Sequence, residues 1–172
     1  MASKIKVDQL ETADGTGTIA LQNQLSGMTS ASMPTGSVLQ VVSANQTSET
    51  ETTSSSYIDT GLSATITPTS TSSKILVLVS QNAVIKSAGN GGVYGQLLRG
   101  STVLAVLALN VAYTANTDQN RIGSGWTSNY LDSPSTTSAT TYKTQFKAFN
   151  SISAGVSSSG AVSMITLIEI AG

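Results

Sequence analysis

The 172 residues suffice for one β-sandwich or barrel domain of ordinary size with a short appendage. Only 10% are charged, the net charge is −1 and Ser and Thr supply about 30%, so solubility rests on hydroxyls and nucleic acid is not an expected partner, for want of a basic stripe. Cysteine and histidine are both absent, which excludes disulfides, thiolate or imidazole metal sites, and catalysis of the Ser-His-Asp or Cys-His kind.

Residues 1–26 read as a unit of their own. Ile5 and Val7 alternate with polar neighbours, Leu10 follows, Asp14-Gly15-Thr16-Gly17 is a turn signal, and Ile19 and Leu21 alternate again, predicting two short strands. So small a hairpin cannot bury a core alone, so it is expected to need a partner surface, with Ile5, Val7, Leu10, Ile19 and Leu21 as its anchoring side chains. No stretch is long and apolar enough for a membrane span and the N-terminus lacks the apolar core of a signal peptide; a cytoplasmic site of synthesis without membrane insertion is the expectation. Residues 27–36, ending in Pro34 and Gly36, read as a linker.

Residues 37–172 carry recurring short strand patterns: 38–43, 57–60, 64–67, 75–84, 93–99, 103–109, 125–131, 141–149 and 162–170. Turn-forming clusters separate them, among them Ala88-Gly89-Asn90-Gly91-Gly92, which is expected to close a hairpin, and Arg99-Gly100-Ser101. Such spacing predicts an all-β protein, an antiparallel β-sandwich. In the run from Tyr142 to Ala148, Tyr142, Phe146 and Ala148 alternate with Lys143, Gln145 and Lys147, which predicts one wet face. Residues 75–79 and 164–170 differ, being apolar on both faces, so a second buried face is expected there. With no helix pattern to cover it, that face is assigned to a subunit interface formed by Leu76, Leu78, Ile165 and Leu167.

No catalytic, cofactor or metal site is expected. The carboxylates lie mostly in turn or terminal segments, so a glycosidase pair is a remote alternative, and a cation on Asp8, Glu11 and Asp14 is no better supported than solvated turn carboxylates. The long polar stretch 114–124 is the candidate contact surface: Asn116, Asp118, Asn120 and Arg121 offer directional hydrogen bonds, with Tyr113, Trp126 and Tyr130 nearby. Against it stands the plainer reading of a polar surface loop with Trp126 packed at the sandwich edge.

The order of these features resembles fiber-type virion proteins of tailed bacteriophages, especially marine and cyanobacterial ones. The likeness is carried by the segments Ser3 to Ile19, Pro34 to Val42, Ser63 to Val79, Leu97 to Ser101, Leu131 to Pro134 and Ile165 to Ile170, and so spans nearly the whole chain. It implies a trimeric jelly-roll head, of the kind found in knob and C1q-like domains, behind a short particle-attachment segment, with other virion proteins of tail or capsid as partners. Such a protein would be assembled in the host cytoplasm and end in the virion, where its head is able to meet a host-surface glycan or protein. The ten-residue linker is short for a fiber shaft, which leaves a stubby fiber, a capsid decoration or cement protein and, remotely, a polysaccharide-cleaving spike as the roles implied.

Overall fold

The structure, a computed structural model, describes residues 33–115 and 122–172. The expected attachment segment, with Ile5, Val7, Leu10, Ile19 and Leu21, lies outside the described residues, as do Asn116, Asp118, Asn120 and Arg121.

Ten strands occur among the described residues: β1 (Val38–Gln46), β2 (Thr50–Thr52), β3 (Ile58–Ile66), β4 (Lys74–Lys86), β5 (Gly91–Arg99), β6 (Thr102–Thr114), β7 (Ile122–Asp132), β8 (Thr140–Ala148), β9 (Ala154–Val156) and β10 (Ser163–Ile170). They form two antiparallel sheets. The first, sheet A, runs β1-β10-β4-β7, with β9 and β2 extending it beside the far end of β4; the second, sheet B, runs β3-β8-β5-β6. Leaving aside the three-residue strands β2 and β9, the first main strand pairs the last (β1 with β10), the second the seventh (β3 with β8), the third the sixth (β4 with β7) and the fourth the fifth (β5 with β6). That nested pairing, folded over into two sheets, is a jelly roll.

Alternation fixes which side of each strand faces inward. Leu62, Ala64, Ile66, Ile75, Val77, Val79, Leu97, Tyr142, Ile165 and Leu167 make one buried cluster. A second holds Val84, Val93, Ala108, Trp126, Phe146, Ala148, Ile152, Ala154 and Val156. Where the strands pass from one cluster to the other the interior is polar. Gln81 donates to the Ser163 hydroxyl at 2.7 Å, Thr144 donates to the Gln81 carbonyl at 3.4 Å, and the hydroxyls of Thr60 and Thr144 lie 2.6 Å apart. The Thr144–Gln81 bond joins the two sheets, and the other two tie neighbouring strands within each sheet, so every one of these buried polar groups has a partner.

Two expectations need correction. The two patterns 57–60 and 64–67 are one strand, β3, whose inward and outward residues alternate throughout; Gly61 (φ 93°) lies where the pairing with β8 shifts register between Asp59 and Ser63. The Ala88 to Gly92 turn is not a hairpin: β4 and β5 belong to different sheets, and the turn arches across the edge of the sandwich. Arg99-Gly100-Ser101 does close a hairpin, between β5 and β6, with Gly100 in the left-handed region (φ 58°).

Candidate functional site

The expected interface residues separate onto opposite faces of sheet A. Ile165 and Leu167 are fully buried between the sheets, whereas Leu76 is half-buried and Leu78 exposed on the outer face. Placing Ile165 and Leu167 at a subunit interface is therefore a correction to make, and Glu169 explains the misplacement. A charged residue at the same alternation phase as Ile165 and Leu167 marks that face as the wet one, yet Glu169 is buried. Its carboxylate accepts hydrogen bonds from Gln40 Nε2 (2.5 Å), the Thr69 amide (2.7 Å) and the Thr69 hydroxyl (2.7 Å).

The outer face can be read row by row from the strand registers. Val41, Ile168, Leu76 and Leu131 stand side by side across β1, β10, β4 and β7. Val38, Ile170 and Lys74 form the row at one end. On the other side come Ser43, Thr166, Leu78 and Asn129, then Asn45, Met164, Ser80 and Thr127. Val38, Val41, Leu131 and Met164 are all among the exposed large apolar side chains. Lys74, in the end row, is the only charged side chain in these four rows. With strands about 4.8 Å apart and rows about 6.8 Å apart, the four rows cover roughly 400 Å², and the two rows from Val41 to Leu131 and from Val38 to Lys74, apolar but for Lys74, make up about half of it. The members missed from sequence, Val38, Val41, Leu131, Met164, Ile168 and Ile170, carry a signal only once the strand order is known, because they come from strands far apart in the chain.

Sheet B turns a different surface outward. Lys143, Gln145 and Lys147 of β8 point out while Tyr142, Phe146 and Ala148 point in, as the alternation predicts. Asp59 accepts from Lys143 Nζ (2.9 Å) and Gln145 Nε2 (2.7 Å), and Gln145 accepts from Gln96 (2.8 Å), so polar contacts bind three strands. Burial pushes the Asp59 carboxyl up, but the hydrogen bonds from Lys143 and Gln145 outweigh it and hold the group below its ordinary value.

Strand β6 is one of the two edges of sheet B, β3 being the other, and exposes Val103, Val106, Leu109 and Tyr113. Asn110 and Ala112 take positive φ within it, and the register to β5 shifts nearby, so bulges interrupt the edge. Trp126 is not at the surface beside the polar loop. It is buried against Gly95 of β5, where an added Cβ would stand 2.6 Å from the indole, and this removes it from the candidate contact surface. Tyr130 packs against the first core cluster, and Tyr113 remains exposed, its hydroxyl 3.4 Å from Asn90 Oδ1. Among the described residues no group of three or more acidic side chains is placed to hold a metal ion.

No protein-family model matches the chain, and no curated protein matches it. Among solved structures it is similar to the crystal structure of the infectious bursal disease virus VP2 subviral particle. The identity is 13% and the TM-score 0.44, over 77% of this chain and 38% of that one, so the chain spans well under half of that protein's length. The architecture rests on the strand pairing and not on that likeness.

Proposed function

We propose that this chain is a structural subunit of a virus particle, a short trimeric fiber or fiber-tip protein of a bacteriophage that works by packing and contact and not by catalysis. The observation that carries the reading is the outer face of sheet A. The core between the sheets is already complete, yet a row of four apolar side chains, Val41, Ile168, Leu76 and Leu131, crosses all four strands on the far side. Around a three-fold axis this face meets a different part of the neighbouring copy's surface, and each Leu or Ile so covered contributes about 1.5–3 kcal/mol. In this reading residues 1–26 dock onto a tail or capsid protein, and the polar outer face of sheet B looks away from the assembly.

A capsid decoration or cement protein is the alternative, and the shortness of the expected linker, residues 27–36, favours it over a long-shafted fiber. Both roles use the same head and the same self-association. Reconstruction of the intact particle separates them: a few copies at the tail support the fiber, and regular sites over the shell support decoration. Absence of the chain from purified particles overturns both.

A further inference from the structure

We propose that the outer face of sheet B carries a binding site for a carboxylated saccharide, centred on Lys147. The inference rests on the reading of this face as the solvent side of a particle protein. Two lysines project from the same side of β8, four residues apart, and they are treated differently. Lys143 is neutralised by Asp59 at 2.9 Å. Lys147 has no carboxylate within ion-pair distance among the described residues; its ammonium lies 4.8 Å from the centre of the Tyr57 ring and 5.4 Å from that of Tyr94. Aromatic faces fix the position of a cation without cancelling its charge, so the ammonium remains available to an anion.

The surroundings suit a sugar. Tyr94 and Lys147 are direct cross-strand partners, and the Phe149 ring is 5.7 Å from that of Tyr94. Two of the eight aromatic residues in the chain thus flank one lysine, and a third packs on one of them. Next to them opens a cleft of about 440 Å³, within the range of small-ligand sites, to which Phe149 contributes a ring and Ser55, Asn150 and Ser151 contribute polar groups. A sugar ring presents just that pair of surfaces, an apolar face of C–H groups and a rim of hydroxyls, and a uronic acid adds the carboxylate. The walls are held in place before any ligand arrives: the Ala148 amide donates to Ser54 O (2.9 Å), the Phe149 amide to Gly92 O (2.9 Å), and Asn150 Nδ2 to Asn90 O (2.7 Å). Asn150 and Ser151 both take positive φ (61° and 54°), which turns the chain sharply at the rim of the cleft.

The test titrates the full-length protein with tetragalacturonate, maltotetraose, acetate, sulfate and an acidic tetrapeptide, following backbone amide shifts by NMR, with light scattering on the same samples. Saturable binding of tetragalacturonate is expected, weakened about tenfold or more by Lys147→Gln, within about threefold of the parent in Lys147→Arg, and unmoved by Lys143→Gln. Tyr94→Leu weakens it as well; should that variant misfold, the lysine series decides alone. No saturation by ~10 mM, equal binding of maltotetraose, of the small anions or of the peptide, or equal sensitivity to Lys143→Gln overturns the proposal. Light scattering keeps the two readings apart, since an intact oligomer that ignores the saccharide leaves the assembly standing, and a monomer that binds it does the reverse.

Discussion

Two buried carboxylates, Glu169 and Asp132, flank Ile75 in one row near the same end of the sandwich, and each predicts a different response. Glu169 is buried, which alone pushes its carboxyl up, but the hydrogen bonds from Gln40 and Thr69 favour the anion more strongly and leave it below its ordinary value of 4.5. A carboxyl depressed in the folded state stabilises the fold fully above the unfolded value and loses that contribution as pH falls through the folded one. Stability to urea is therefore expected to decline below about pH 4.5, and Glu169→Gln to cost about 2 kcal/mol at pH 7 while flattening that acid limb. An acid limb identical in the variant contradicts this. Asp132 joins three strands: Arg99 Nη1 donates to both of its carboxylate oxygens (3.0 and 2.8 Å) and the Tyr142 hydroxyl donates at 2.6 Å. Burial, and then the Asp132 carboxylate, push the Tyr142 hydroxyl far above its ordinary range, so it stays a donor. Asp132→Ala strands a guanidinium and a phenol, with an expected loss of about 3 kcal/mol in equilibrium denaturation.

At the scale of the elements, packing across the sandwich leaves no room for a further methyl where Trp126 of β7 lies over Gly95 of β5. Gly95→Ala would place a methyl 2.6 Å from the indole, and with the ring enclosed by the second core cluster it is expected to cost about 2 kcal/mol, read as a lowered Tm. Most of the longer strands were legible from turn chemistry and alternation, β3 being read as two, and so was the polar outer side of β8 at Lys143, Gln145 and Lys147. Three things were not. Strands β2 and β9 have three residues each, too few for any period to register. The inward phase of Ile165 and Leu167 was masked by Glu169, whose buried partners, Gln40 and Thr69, are about a hundred residues or more away in the chain. The packing of Trp126 was one of the two readings open for it, but its partner Gly95 sits on another strand and was not legible. In each case the missing information is a long-range pairing, which local sequence does not carry.

For the whole molecule, all ten strands and both core clusters fall between Val38 and Ile170 among the described residues, so removal of residues 1–32 is expected to leave a sandwich that unfolds in one cooperative transition by circular dichroism but no longer joins the particle. Failure of that fragment to fold would show that the head depends on the segment before it. The fold also leaves two kinds of outer surface: hydrogen-bonded polar rows with an uncancelled lysine on sheet B, and on sheet A a face crossed by an apolar row and carrying one charged side chain, Lys74, at its end. The central claim is that the second is closed by further copies of the chain. Light scattering on the full-length protein beside Leu76→Lys and Leu131→Lys tests it most directly. The account predicts a parent particle of three times the 17.5 kDa chain mass and folded monomers for both variants, because each places an unpaired charge in the covered face. A monomeric parent, or variants that remain trimeric with unchanged Tm, would contradict it.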